Sequence, residues 1–303
     1  MKQTIVLISC ILISCSTNTT TSEKKSVEIL NFDKEGHRGC RGLMPENTIP
    51  AFKKAIDLGV TTLEMDAIIT KDKQVLISHD PFFSHEITTK ADGSFVTEEE
   101  EKSFKIYDMT YEQTQQFDVG LKPHPRFPQQ QKLKVHKPKL SEVIDSAEAY
   151  TKAKGLAPIQ YNIETKSTAA TDDINHPKPE EFVELIMAII KEKQIEERVI
   201  IQSFDIRTLQ YMHKKYPTIR TAYLFEPPTT KSFDERLKDL GFIPTIYSPD
   251  YTTLTPELMK QCKDLDIKVI PWTVDDLPKM KELKQMGVDG IISDYPDLFA
   301  QLK

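Results

Sequence analysis

The sequence predicts an α/β fold, a (β/α)8 TIM barrel with an antiparallel hairpin after its second strand and an insertion over the barrel mouth. Short β-type runs alternate with helical patterns from residue 32 onward, which is the signature of parallel strands joined by helices. The chain has 303 residues, near the typical size of one such barrel. The third observation is a pair of candidate strands too closely spaced to be parallel neighbours.

The strand count supports a barrel once that pair is resolved. Only the polar residues 70–73 separate the second and third runs, whereas a parallel crossover needs about a dozen residues. The pair is therefore a hairpin whose return arm leaves the barrel, and eight barrel strands remain. With a turn near residues 71–72, Asp66 and His79 reach the same level, at the strand end where barrel active sites are built. The candidate runs are 32–38, 62–67, 75–79, 159–165, 198–203, 220–224, 244–248, 268–272 and 290–293.

Helical patterns fill the gaps between the strands. Asn47 resembles the N-cap of a first helix that ends at Gly59. Other helices, recognised by acidic or proline-containing starts and apolar stripes, are predicted at 179–197, 255–265 and 276–286.

Residues 82–139 are too long for an ordinary loop. They contain the acidic run Glu98–Glu101 and a proline-rich stretch at 122–132. We interpret the segment as the insertion over the barrel mouth, with the second helix resuming near Leu140. The acidic run is predicted to be solvated surface.

The N-terminus is predicted to be a lipoprotein signal peptide. Lys2 precedes an apolar run that is too short to span a bilayer. Residues 12–15 resemble a bacterial lipobox, in which Cys15 becomes the lipidated N-terminus. The segment ending at Cys10 has the same form but leaves a shorter apolar core, and an ordinary cleaved signal is the remaining alternative.

The predicted organisation is a signal peptide over 1–15, a flexible polar tether over 16–31 and the barrel over 32–303. It places the protein in the cell envelope, anchored to a membrane through lipid on Cys15, outside the cytoplasm at the periplasmic face or the outer membrane.

The composition argues against disordered, membrane-embedded and nucleic-acid-binding classes of protein. An apolar content of 39% and a charged content of 28% indicate a globular rather than a disordered or membrane-embedded chain. The net charge is −6 and no long basic block is present, so nucleic acid is not an expected partner. Cys40 and Cys262 lie in the body of the protein and allow one disulfide if they meet.

Three carboxylates suggest a metal site. Glu64 and Asp66 are two apart on a strand, so both point to one face, here the barrel interior, and Glu164 ends the next barrel strand. Inward acids are costly unless paired or bound to metal. Oxygen ligands favour Ca²⁺ or Mg²⁺. The alternative is a set of structural salt bridges with Arg38 and Lys166.

Two histidines could supply acid–base chemistry. His37 ends the first strand and His79 closes the hairpin beside the carboxylates, and imidazole titrates near neutral pH. Arg38 has a planar donor fork suited to phosphate. Trp272 ends the seventh barrel strand and either lines the pocket or packs in the core.

The ordered motifs resemble those of the glycerophosphodiester phosphodiesterase family from about residue 35 to the C-terminus. They are His37-Arg38-Gly39, Pro45-Glu46-Asn47-Thr48, Leu63-Glu64-Met65-Asp66, His79-Asp80-Pro81, Asn162-Ile163-Glu164-Thr165-Lys166, Gln202-Ser203-Phe204, Pro271-Trp272-Thr273 and Ser293-Asp294-Tyr295-Pro296. Two departures are Cys40-Arg41 after the first motif and Lys73 where a turn glycine is common.

The resemblance implies metal-dependent hydrolysis of glycerophosphodiesters, which are deacylated phospholipids, to glycerol 3-phosphate and an alcohol. It implies Ca²⁺ or Mg²⁺ on Glu64, Asp66 and Glu164, and His37 with His79 as the acid–base pair. It places Arg38 and Lys166 near the phosphate, with Glu46 supporting the site. From their positions, Trp272 and the 122–132 stretch are predicted to shape the glycerol and head-group ends of the pocket.

Two other functions are considered. A related barrel phospholipase would cleave phosphoinositide or sphingomyelin-type lipids, and aromatic residues between 104 and 127 could contact such lipids if they are exposed. A non-catalytic binding protein would not need both histidines together with all three acids.

Overall fold

Eight parallel strands form a nearly closed barrel in the computed structural model, which describes residues 32–302. Hydrogen-bonded neighbours follow the order β8-β7-β6-β5-β4-β2-β1-β9, and β3 pairs only with β2. Backbone bonds from Asp289 N to Val269 O (2.8 Å) and from Ile292 N to Pro271 O (3.0 Å) join the two ends of this path. The predicted fold class is confirmed. The strands are β1 (Asp33–Gly36), β2 (Thr62–Ile69), β3 (Val75–Ile77), β4 (Gln160–Thr165), β5 (Val199–Ser203), β6 (Arg220–Phe225), β7 (Ile246–Pro249), β8 (Lys268–Val269) and β9 (Gly290–Ser293).

The helices outside the insertion each bury one face in the barrel core. Their starts carry the expected capping chemistry: Thr48 caps the first helix by accepting from Ala51 N, and Asp276 caps the last, which ends at Gly287. The prediction that Asn47 is the first N-cap is wrong by one residue. The helices are α1 (Ile49–Asp57), α2 (Tyr111–Thr114), α3 (Leu140–Ala153), α4 (Pro179–Glu192), α5 (Ile206–Lys215), α6 (Phe233–Leu240), α7 (Pro256–Asp264) and α8 (Leu277–Met286).

The hairpin has the predicted geometry. β3 runs antiparallel to β2 with Ala67 opposite Ile77, and Ser78 N donates to Asp66 O at 2.9 Å. Because Ser78 is hydrogen-bonded to Asp66, the next residue, His79, lies close to Asp66 at the end of β2. Lys73 has a φ of 61°, which is the left-handed conformation that explains why glycine is common at this turn position.

The insertion has a small core of its own. Phe83, Ile87, Ile106 and Val119 pack against Ile68 and Leu76 of the hairpin. After the insertion, α3 begins at Leu140 as predicted.

The acidic run of the insertion is only partly solvated. Glu101 is buried and accepts from the backbone nitrogen of His85 at 3.0 Å, so the surface prediction is wrong for this residue. The insertion lies against the loop after β1, where Gln130 Nε2 donates to Arg41 O at 2.7 Å. It thus reaches the carboxyl ends of the strands, where the site is built.

Two further predictions concern the cysteines and the N-terminus. Cys40 and Cys262 are buried and free, so the disulfide that their presence allowed does not form. The signal peptide, Cys15 and the tether lie outside the described residues. Within residues 32–302, no helix combines the length and the apolar character needed to cross a membrane.

Candidate active site

The three predicted carboxylates meet at adjacent strand ends. Glu64 and Asp66 lie on β2, and Glu164 on β4 stands directly opposite Asp66 in the parallel register. One oxygen from each lies within 4.8 Å of the others, and all three side chains are buried. Asp66 Oδ1 is buried and has no hydrogen-bond partner among the described residues. An all-oxygen donor set with an unsatisfied oxygen fits a hard divalent cation.

Burial and mutual repulsion disfavour the charged forms of these carboxylates. Burial raises the pKa of Glu64 well above its usual range, and the charge of Asp66 raises it further. Burial also raises the pKa of Glu164. For Asp66 burial acts in the same direction, but the charges of Arg38, His79 and Lys166 together with the Asn47 hydrogen bond outweigh it and hold the pKa low. A bound cation would offset the repulsion among the three groups.

Glu64 is held through both of its oxygens. Gln202 Nε2 donates to Oε1 at 2.7 Å, and the Arg38 backbone nitrogen donates to Oε2 at 2.8 Å. The Arg38 nitrogen has this direction because its φ is 49°, a left-handed conformation that is uncommon for arginine. The next residue, Gly39, has a φ of 87°, and a Cβ there would lie 2.8 Å from the backbone of Ala51. The glycine of the first motif is therefore a steric requirement.

Arg38 and Asn47 hold the other β2 carboxylate. Arg38 Nε lies 3.3 Å from Asp66 Oδ2, and Arg38 Nη1 donates to Glu46 Oε1 at 2.8 Å. Asn47 Nδ2 donates to the same Asp66 oxygen at 2.8 Å. Burial would raise the pKa of Glu46, but the charges of Arg38 and Arg41 lower it to about 2. Glu46 is thus an anion that orients the Arg38 side chain.

Lys166 lies on the opposite side of the cluster. Its Nζ donates to Glu164 Oε1 at 2.8 Å and lies 3.8 Å from Asp66 Oδ1. The salt bridges that were the alternative to a metal site are therefore present, although Asp66 Oδ1 remains without a hydrogen bond within residues 32–302.

His37 is oriented by a carboxylate at the other end of the chain. Its Nδ1 lies 2.7 Å from Oδ1 of Asp294, the residue just after β9. Nδ1 carries the proton and donates a hydrogen bond to this carboxylate. Nε2 then faces the cluster, 3.9 Å from Glu64 Oε2. Burial lowers the pKa of His37 to about 4, against the charge of Asp294. The ring is thus fixed with one nitrogen free to accept a proton.

Arg41 completes this arrangement. Its Nε and Nη2 donate to the two oxygens of Asp294 at 2.9 and 2.7 Å. Burial would raise the pKa of Asp294, but the charges of His37 and Arg41 hold it well below its usual range. Phe127 of the insertion covers the Arg41 guanidinium, with 5.0 Å from its carbon to the ring centroid. The unusual arginine after the first motif therefore secures the partner of His37.

His79 is placed by the hairpin on the same cleft. Its Nδ1 lies 3.0 Å from Asp80 Oδ1, so this ring also has a carboxylate partner. Ser78, the preceding residue, accepts a hydrogen bond from the buried Lys137 at 2.8 Å. Burial lowers the pKa of Lys137. Both histidines line one cleft, as the hairpin count predicted.

The cleft has a volume of about 770 Å³ and contains most of the predicted residues. His37, Arg38, His79, Glu64, Glu164, Lys166 and Trp272 line it. Trp272 is partly exposed, and its Nε1 donates to Ser248 O at 2.9 Å. Trp272 is thus a wall of the cleft rather than a residue of the closed core. From the 122–132 stretch, only Arg126 is among the lining residues.

Four further residues had no role in the site assigned from the sequence, although each holds one of its side chains. Asn47 was expected only to cap a helix, and Arg41 was noted only as a departure beside the first motif. Gln202 lies near the carboxyl end of β5 and Asp294 directly follows β9, and both belong to quoted motifs, which was the available signal.

One neighbouring carboxyl provides a test of the electrostatics. Burial raises the pKa of Asp275 to about 7, with a contribution from the charge of Asp294. The folded state therefore binds this proton more tightly than the unfolded state, and stability falls as pH rises from about 4 to about 7. Asp275→Asn should raise the melting temperature at pH 8 by more than at pH 4. Equal shifts at both pH values in thermal denaturation would contradict this expectation.

Comparisons with known proteins place the chain in a family. The model of the glycerophosphoryl diester phosphodiesterase family matches residues 37–298. The glycerophosphodiester phosphodiesterase of Caldanaerobacter subterraneus subsp. tengcongensis is 32% identical over 266 residues, covering 88% of this chain and 95% of that protein. A solved structure from Silicibacter pomeroyi, assigned to the same family, is 29% identical with a TM-score of 0.80, covering 89% and 92% of the two chains.

A more distant structure agrees on the fold. An Oleispira antarctica phosphodiesterase in complex with the product sn-glycerol-3-phosphate is 21% identical, with a TM-score of 0.69 over 89% of this chain and 96% of that one. The chain therefore belongs to the glycerophosphoryl diester phosphodiesterase family and is a glycerophosphodiester phosphodiesterase.

Proposed function

We propose that His37 and His79 are the acid–base pair with which this enzyme hydrolyses glycerophosphodiesters to glycerol 3-phosphate and an alcohol. The observation that carries the proposal is that both imidazoles line the cleft containing the carboxylate cluster, each with Nδ1 bound to an aspartate. One ring accepts a proton from the attacking oxygen, and the other donates a proton to the leaving alcohol. Such a carboxylate partner stabilises the charged ring.

Glu64, Asp66 and Glu164 are proposed to hold Ca²⁺ or Mg²⁺. Hard divalent cations prefer carboxylate oxygens, and the unsatisfied Asp66 Oδ1 lies within this donor set. When bound, the ion would supply positive charge against the phosphate oxygens.

Arg38 and Lys166 are proposed to bind the phosphate from the two sides of the cluster. Both line the cleft, and each is already held by a carboxylate, Glu46 for Arg38 and Glu164 for Lys166. Cations fixed in advance stabilise developing negative charge without reorganising during the reaction.

The alternative function, a barrel phospholipase, was supported by the possibility of exposed aromatic residues that contact lipid, and this support is lost. The aromatic residues between 104 and 127 are half-buried or buried and are packed against the insertion or the barrel, for example Phe117 stacked on Phe83 with centroids 4.2 Å apart. Product analysis tests the choice. Release of glycerol 3-phosphate from glycerophosphocholine supports the proposed reaction, whereas release of diacylglycerol or ceramide products from intact lipids would support the phospholipase.

The protein is also proposed to be a lipoprotein of the cell envelope, outside the cytoplasm, attached to a membrane through Cys15. The lipobox-like residues 12–15 and the polar tether over 16–31 support this proposal. A mature chain with lipid on Cys15 would sediment with membranes.

Cys15→Ser should block processing or move the protein to the soluble fraction, because the acceptor of the lipid is lost. Fractionation followed by mass spectrometry of the N-terminus measures both effects. Cys10→Ser is the matched control and should change neither. Unaltered processing and membrane association in the Cys15 variant would remove the proposal.

A further inference from the structure

The cleft is divided into an ionic half and an aromatic, acidic half. Strands β9, β1, β2 and β4 supply the ionic half, with the histidines, the carboxylate cluster and the cations beside it. The ends of β5 to β8 supply the other half, which contains Phe204, Glu226, Asp250 and Trp272. Among the described lining residues from these four strand ends, none is basic.

Two aromatic rings form a right-angled corner in that half. Phe204 and Trp272 have ring centroids 5.5 Å apart and an interplanar angle of 87°. The Trp272 ring is fixed by its bond to Ser248 O. Phe204 is 37% exposed, which is unusual for a large apolar side chain directly after a buried strand. The corner is therefore open to the cleft, with its Trp272 side fixed.

An exposed carboxylate lines the same cleft on the neighbouring strand end. Glu226 directly follows β6, which pairs with β5, and it takes part in no side-chain hydrogen bond or ion pair within residues 32–302. Lys231, further along the same loop, is bonded to Asp239 instead. Asp250, on the next strand end, binds the nitrogen of Thr252 through Oδ1 at 2.8 Å. Glu226 thus offers a free negative charge next to the aromatic surface.

We propose that Phe204, Trp272 and Glu226 form a subsite for the cationic head group of a zwitterionic glycerophosphodiester, with a quaternary ammonium as the preferred group. Aromatic faces attract such cations through their quadrupole, and a nearby carboxylate adds Coulomb attraction. The proposal rests on the proposed function, because the phosphate then lies in the ionic half and the ammonium in the aromatic half. The charge distribution of the cleft matches that of the substrate.

The binding of the head group can be measured without turnover, because Trp272 is the only tryptophan among the 303 residues. Choline chloride should change its fluorescence with saturation. The neutral isostere 3,3-dimethylbutanol should bind roughly three- to thirty-fold more weakly, the factor that cation–π attraction provides. Potassium chloride controls for ionic strength. Equal responses to choline and the isostere, or no saturation by choline, would overturn the proposal.

Variants separate the head-group end from the glycerol end. Glu226→Gln and Phe204→Leu should each lower kcat/KM for glycerophosphocholine by roughly three- to thirty-fold. Turnover of glycerophosphoglycerol, whose head group is neutral, should stay within about twofold. Glu98→Gln removes one exposed acid from the insertion and should change neither substrate.

The outcomes distinguish the head-group subsite from the proposed function. An equal loss on both substrates would assign Phe204 and Glu226 to the glycerol common to them and refute the head-group subsite. A wild-type enzyme that hydrolyses neither substrate would refute the proposed function, while the choline titration of Trp272 would still report on the subsite alone.

Discussion

Alanine in place of His37 or His79 is expected to lower kcat/KM on glycerophosphodiesters by roughly 10²–10⁴-fold, the usual contribution of a lost proton-transfer group. Each ring has one nitrogen bound to an aspartate, so its other nitrogen is available for the reaction. The pH profile of kcat/KM in the wild type should be bell-shaped, because one group must be unprotonated and the other protonated. Steady-state kinetics across pH measure both effects.

Two controls for the histidine variants are their metal content and the rate of the double variant compared with the single variants. Both histidine variants should retain the metal content of the wild type, because neither ring belongs to the proposed ligand set. The double variant should be far less impaired than the product of the two single effects, since groups that act as a unit are not additive. Near-normal turnover in either single variant, or loss of metal instead of rate, would show that the two-histidine assignment is wrong.

Removal of the metal is expected to abolish activity, and Ca²⁺ or Mg²⁺ should restore it. Glu64→Gln, Asp66→Asn and Glu164→Gln should each lose both bound metal and turnover. Each amide keeps the size of the side chain but removes a charged ligand from a set of three. Metal analysis of purified variants and assays after chelation are the measurements.

The matched control is Glu98→Gln, an exposed acid outside the cleft, which should keep both metal and activity. Thermal denaturation guards against misfolding. Without metal, Glu64→Gln and Glu164→Gln remove buried carboxylates whose pKa is raised, so these two variants are expected to have an unchanged or higher melting temperature. Asp66→Asn removes a carboxylate whose pKa is held low by neighbouring cations, so it is expected to lower the melting temperature. Full activity of the wild type in excess chelator would refute the metal proposal.

Much of the site could be predicted because strand periodicity determines it. Glu64 and Asp66 share a face by alternation, and the short hairpin turn leaves no other place for His79. The same argument placed Glu164 at the end of the next barrel strand, opposite Asp66. The positions of these residues could be predicted from the order of the strands alone, and the alternating pattern supplies that order.

The remaining contacts depend on tertiary packing that no periodicity describes. Asn47 was expected to cap a helix, but its left-handed conformation, with a φ of 56°, turns its side chain to Asp66 and leaves the cap to Thr48. Glu101 was expected at the surface because it belongs to an acidic run, yet it binds His85 inside the insertion. Arg41 appeared to be an unusual loop residue, and its role is visible only with Asp294 in place.

The contact between His37 and Asp294 has a consequence for how the newly synthesised enzyme matures. The two residues are separated by 257 positions, and they meet because β1 pairs with the final strand β9. Until the last strand has paired with β1, His37 has no carboxylate partner and Arg41 lacks its bidentate anion. The orientation of the imidazole is therefore established only when the C-terminal strand closes the barrel. A prematurely terminated chain that ends before β9 would be inert, however well its earlier strands had folded.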